Sequence, residues 1–259
     1  MLCKDVIQVI RATYPEDYAL EWDNVGLLAG RDDKEVKRIY VALDADDAAV
    51  DAAVAAGADM LVTHHPLIFS GLKRINNQDF IGARLLKLIR NDISYYAMHT
   101  NYDVLGMAGL SGEKLSLSDP EVLEVTKEGT HPEGIGRVAD LETPVALREL
   151  CEEVKKRFQL EAVKVFGDPD RKVQRIAVSP GAGKSMIGPS LEKKADVLIT
   201  GDIDHHTGID AVARNLAVID AGHYGIEHIF IEDMKKFLEE NLEQVEVDAA
   251  PLRHPFHIL

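Results

Sequence analysis

The sequence predicts an α/β protein built from two internally similar halves with mainly parallel strands. Three observations carry this expectation. Short apolar runs such as Arg38-Ile39-Tyr40-Val41-Ala42-Leu43 alternate with helix-length segments, the pattern of strands covered on both faces. The segment Arg38–Thr63 aligns without a gap on Arg175–Thr200, with eight of 26 positions identical. The shared residues include Ala58-Asp59-x-Leu61-x-Thr63 and Ala195-Asp196-x-Leu198-x-Thr200. Duplication of one unit accounts for the constant offset; compositional likeness between buried strands is the alternative. Seven of the ten histidines fall in four short segments that follow the apolar runs. In open parallel sheets, ligands bind at those carboxyl ends.

The elements follow in order. Val6 to Ala12 reads as a short helix stopped by Pro15. Arg38 to Leu43 is the first strand, and Asp46-Asp47 opens an alanine-rich helix over Ala48–Ala56, closed by Gly57. Met60-Leu61-Val62 is the second strand, completing a βαβ unit that runs into Thr63-His64-His65-Pro66. A helix over Phe80–Ile89 and a strand over Ile93–Met98 come next. In the second half, strands are expected at Arg175–Val178, Val197–Ile199 and Ala217–Asp220. Helices are expected at Met186–Lys194, Ile209–Arg214 and Glu232–Asn241, the last with Met234, Phe237 and Leu238 on one face. Between the halves, Ser116–Pro144 is rich in turn formers and acids and reads as a boundary, giving domains 1–125 and 126–259.

Composition narrows the function classes. With 29 basic and 44 acidic side chains the net charge is −15 at pH 7. That argues against a surface for duplex nucleic acid or anionic lipid, both of which need a cationic field. Cys3 and Cys151 are too few for a disulfide framework and suit a reducing cytoplasm. No segment has the apolar length of a signal peptide or a membrane span.

The histidine segments carry the chemistry. At His64-His65 the chain leaves a strand before Pro66, and a turn there can aim both imidazoles into one cavity; a solvated turn is the plain alternative. His99-x3-Asp103 and His223-x3-Glu227 each place a carboxylate four residues beyond an imidazole, on one face of a helical turn. Nitrogen with carboxylate oxygen suits zinc, iron, manganese or nickel, and a carboxylate can bridge two ions. A core histidine or a helix-cap arrangement is the alternative at either place. His205-His206 follow Gly201-Asp202-Ile203-Asp204 and can bind substrate or carry protons, unless Asp204 merely caps a helix. Gly181-Ala182-Gly183-Lys184-Ser185 ends like a phosphate loop but has Val178 where that loop needs glycine. No Gly-x-Ser-x-Gly elbow occurs. Trp22, the sole tryptophan, is flanked by Asp23-Asn24 and reads as core packing or a cleft rim.

Five separated motifs, in order, resemble one family. They are Trp22-Asp23-Asn24-Val25-Gly26, Thr63-His64-His65-Pro66, His99-Thr100-Asn101-Tyr102-Asp103, Gly201-Asp202 and Gly222-His223-Tyr224-x-x-Glu227. The chain resembles the GTP cyclohydrolase 1 type 2 homologues, also called NGG-interacting-factor-three-like proteins. That resemblance implies a two-domain α/β fold, a dinuclear metal centre between the halves and assembly as a homohexamer. It implies His64, His65, Asp103, His223 and Glu227 as ligands of two divalent ions, with His99 nearer to substrate. The expected function is metal-dependent hydrolysis of a nucleotide or other small polar substrate, with His99, His205 and His206 as proton carriers or substrate contacts. The alternative is a non-enzymatic metal carrier, sensor or assembly factor using the same ligands.

Overall fold

The computed structural model describes residues 1–259. Eleven strands run in chain order. They are β1 (Gly26–Ala29), β2 (Arg38–Ala42), β3 (Met60–Thr63), β4 (Ser94–Ala97), β5 (Glu121–Lys127), β6 (Glu133–Ala146), β7 (Lys164–Phe166), β8 (Lys172–Ala182), β9 (Val197–Gly201), β10 (Ala217–Asp220) and β11 (Glu246–Ala249). They form one five-stranded sheet in the order β1-β4-β3-β2-β11 and one six-stranded sheet in the order β5-β6-β8-β9-β10-β7.

Each sheet belongs to its own compact unit. The first unit comprises Met1–Tyr102 with Phe230–Leu252, and the second Asp103–Ile229 with Arg253–Leu259. This differs from a single cut near residue 125, and the reason is strand pairing. β11 returns to lie parallel to β2, with Val247 opposite Ile39, so the chain after residue 229 closes the first sheet. The stretch Ser116–Pro144, expected to be a boundary, instead holds β5 and most of β6, an antiparallel pair inside the second sheet.

In the first unit β11, β2, β3 and β4 are parallel, and β1 adds antiparallel to β4. β3 and β4 are buried at every residue, as their uninterrupted apolar runs require. Asp46 caps the helix Asp47–Ala55 by accepting the Ala49 N–H at 2.7 Å, and Asp79 caps Phe80–Arg90 through Gly82 N–H at 2.8 Å. Leu61, Leu85, Leu88 and Tyr95 are fully or almost fully buried in the core these helices cover.

The second unit repeats the centre of that plan. β8, β9 and β10 are parallel and adjacent, as β2, β3 and β4 are. The repeat extends to a polar detail. Asp59 Oδ2 accepts the N–H groups of Lys37 and Arg38 at 2.7 and 3.0 Å, and Asp196 Oδ2 accepts those of Gln174 and Arg175 at 2.8 and 2.9 Å. The shared Ala-Asp-x-Leu-x-Thr thus does the same work twice: its aspartate staples the entry of one strand to its neighbour. β5, β6 and β7 are additions with antiparallel pairing. Cys3 and Cys151 are buried thiols, and no helix is long and apolar enough to cross a membrane.

Candidate metal centre

In the first unit the carboxyl ends of three neighbouring strands deliver the site. β2 leads to Asp44, β3 to His64 and His65, and β4 to His99. The turn after β3 is pinned at several points. His65 N–H donates to Leu43 O at 2.9 Å, and the Thr63 hydroxyl donates to His65 O at 2.8 Å. The Tyr95 hydroxyl donates to His65 O at 3.0 Å and accepts the Leu67 N–H at 2.7 Å. Burial pushes that phenol up to about 12, which keeps its proton in place. One ring nitrogen of each of His64, His65 and His99 lies within 4.8 Å of the others, and ring centroids stand 4.9 to 5.6 Å apart. Three imidazoles this close are a candidate donor set for one ion. His64 is wholly buried, walled edge-on by Phe230 at 5.3 Å and Tyr102 at 6.0 Å.

Two of these rings are oriented by carboxylates. His65 Nδ1 lies 2.7 Å from Asp44 Oδ1, and His99 Nδ1 lies 2.9 Å from Asp23 Oδ1. A carboxylate only accepts, so each Nδ1 carries the proton and Nε2 presents the lone pair. This is how metal-binding imidazoles are set. Asp44 was not singled out from sequence; it stands two positions beyond β2 in the acid-rich run Asp44-Ala45-Asp46-Asp47, where nothing local sets it apart.

In the second unit the helical turn His223–Glu227 follows β10. His223 Nδ1 lies 2.8 Å from Asp202 Oδ2, at the end of β9, and His223 Nε2 lies 3.0 Å from Glu227 Oε2. The pair therefore shares one face of its turn, as the i, i+4 spacing requires. Glu227 is only 3% exposed. Its backing is Gly181 at φ +81°, where an added Cβ would stand 2.7 Å from Glu227 Oε1. The glycine near the end of β8 thus makes room for a carboxylate. Asp103 opens a single π turn, Asp103–Met107, on the helical run that starts at Thr100. Such widened turns recur at functional sites.

Residues 1–254 match the Duf34/NIF3 (NGG1p interacting factor 3) family. The chain belongs to the Duf34/NIF3 family. A relative from Clostridium acetobutylicum named "GTP cyclohydrolase 1 type 2 homolog" is 33% identical over 251 residues, covering 96% of this chain and 94% of that protein. One of the same name from Methanocaldococcus jannaschii is 33% identical, covering 94% and 97%. Among solved structures, the Bacillus cereus protein related to NIF3 superposes with a TM-score of 0.93 at 25% identity, covering 100% of this chain and 99% of that one. Reduced HcgD from M. jannaschii gives 0.83 at 33% identity, covering 96% and 97%.

In this Duf34/NIF3 member, His205 and His206 occupy the first turn of the helix His205–Ala213, which begins four residues earlier than the expected Ile209. Asp204 caps it by accepting the Thr207 N–H at 2.9 Å and hydroxyl at 2.7 Å, which hold its carboxyl well below the usual range. The two exposed rings lie 5.2 Å apart and stand outside every ligand-spaced group, whereas His99 falls inside one.

Asp23 yields a test of the support beneath His99. Its side chain is fully buried, which by itself would raise its pKa. Hydrogen bonds from His99 and from the Thr100 N–H (2.9 Å) and hydroxyl (2.5 Å) outweigh burial and bring the carboxyl from 3.8 to about 2. A folded value below the unfolded one means stability present above pH 4 and lost as pH falls toward 2. Asp23→Asn is expected to cost about 2 kcal/mol at pH 7, a deficit that closes between pH 4 and 2 in urea unfolding. A deficit independent of pH would show that the charge is not what stabilises.

Proposed function

We propose that the chain is a hydrolase that uses two divalent transition-metal ions, zinc, iron, manganese or nickel, on a nucleotide or another small polar molecule. The ligands proposed are His64, His65, Asp103, His223 and Glu227. The observation that carries this reading is that His65, just beyond β3, and His223, just beyond β10, each rest Nδ1 on an aspartate and present Nε2. Mixed imidazole and carboxylate donors suit these ions better than magnesium or calcium. Such a pair of ions supplies Lewis acidity, lowering the pKa of water and stabilising charge on the attacked group.

The chain's own residues then do the rest. Asp44 and Asp202 hold two imidazoles in the ligating tautomer. His99, with Asp23 behind it, can take up and release a proton at Nε2 while its Nδ1–H stays hydrogen-bonded to the aspartate, so it can relay protons or hold substrate. His205 and His206 are proposed as outer substrate contacts. Self-association as a homohexamer, implied by the family resemblance, is proposed with them.

The test is elemental analysis of protein purified without chelator or histidine tag, followed by turnover assays on nucleotides. We expect close to two equivalents of transition metal per chain and hydrolysis that is lost with chelator and regained with metal. Full metal content without turnover on any substrate class would favour a metal carrier, although buried His64 and Glu227 (0% and 3% exposed) are poorly placed for ready exchange. No metal, even after all four ions are supplied, would remove both readings.

A further inference from the structure

Two large aromatic side chains of the first unit stay in solvent beside the imidazoles. Trp22 is 57% exposed and Phe69 is 56% exposed. They touch each other, with centroids 5.7 Å apart and planes at 47°. Both also meet His99: Trp22 at 5.9 Å and 74°, Phe69 at 6.5 Å and 68°. Three rings thus form a corner in which neither Trp22 nor Phe69 lies flat on its neighbour.

The corner is built on a fixed frame. Asn24 Nδ2 donates to Ile68 O at 2.6 Å, which ties the segment carrying Trp22 to the one carrying Phe69. Asp23, next to Trp22, binds His99 and Thr100. Leu67, two residues before Phe69, donates its N–H to the buried Tyr95 hydroxyl. Exposed apolar surface is costly to leave in water, and here it is held in place beside the chemistry. A π surface of this kind takes any planar ring.

We propose that Trp22 and Phe69 form a stacking platform for a nucleobase, so that the base sits on the aromatic corner and the sugar-phosphate end reaches the imidazoles of His64, His65 and His99. This rests on the nucleotide-hydrolase reading above and names the residues that select its substrate. Further along the chain Leu72, Ile75 and Phe80 are also exposed, at 38%, 50% and 61%, so a second copy of the chain is the competing occupant.

Trp22 is the only tryptophan, so its emission reports on the corner directly. The metal-loaded full-length chain is titrated with guanosine 5′-monophosphate, cytidine 5′-monophosphate and ribose 5-phosphate. Both nucleotides should quench Trp22 saturably, the base-free sugar phosphate should not, and Phe69→Ala should weaken nucleotide binding about tenfold at unchanged metal content. Equal response to ribose 5-phosphate, no response to either nucleotide, or unaltered affinity in Phe69→Ala overturns the platform. A fall in oligomer mass in Phe69→Ala, read by light scattering, overturns it in favour of a subunit contact. Metal content of the same samples separates the failures: bound metal without base-dependent quenching sinks the platform alone, and absent metal sinks the hydrolase reading and the platform with it.

Discussion

Replacing His64 with alanine is expected to strip the purified protein of transition metal and to lower hydrolytic turnover at least a hundredfold. His64 is wholly buried, and one of its ring nitrogens lies within 4.8 Å of donor nitrogens of His65 and His99. Loss of an orienting partner around a metal costs 10–100-fold in affinity; loss of the ligand costs more. A bound ion also stabilises the fold by mass action, about 2.7 kcal/mol at a concentration 100 times its Kd. Added metal should therefore raise the melting temperature of the parent and not of His64→Ala. His131→Ala, an exposed histidine outside every ligand-spaced group, is the matched control and should behave as the parent. Circular dichroism confirms that the variant folds. Full metal content in folded His64→Ala would defeat the proposed ligand set.

Phe230→Ala carries the largest expected cost in stability, about 3–5 kcal/mol. The ring is fully buried, standing edge-on to Tyr102 at 4.9 Å and 89° and to His64 at 5.3 Å and 64°. Removing it leaves a cavity behind a candidate ligand. Metal affinity should fall along with the urea midpoint. Phe230→Leu, which keeps most of the volume, should recover most of the stability. A midpoint within 1 kcal/mol of the parent in Phe230→Ala would mean that the ring does not support this wall.

The parallel centre of each sheet was legible because its strands are buried on both faces, so Tyr40-Val41, Leu61-Val62 and Leu198-Ile199 carry no polar alternation to confuse them. The clustering of imidazoles at the candidate site was legible because His64, His65, His99 and His223 follow closely on those same runs. β6 was hidden for a physical reason. Gly134 looks like a turn residue, yet it is paired in the ladder opposite Val125, where a Cβ would come 1.9 Å from Glu124 O. Close backbone approach, not a turn, demands that glycine. β11 was hidden because Glu246-Val247-Asp248 is polar, and its reason to be a strand is remote. Arg38 pairs with Glu246 and, at 2.6 Å, with Asp248. The orienting role of Asp44 depends on a neighbouring strand, which no local pattern reveals.

The return of β11 to β2 has a consequence for synthesis. The two strands are separated by 208 positions, counted from Arg38 to Glu246. At 5–20 residues per second a ribosome takes about 10–40 s to cover that interval. Throughout it, the outer edge of β2 has emerged with Ile39 and Val41 while the strand that covers it does not yet exist. An apolar edge without its neighbour is a template for wrong pairing between nascent chains. The first unit to begin emerging is thus left open until β11 appears, and the residues from Asp103 to Ile229 can collapse onto their own sheet before the first sheet is sealed.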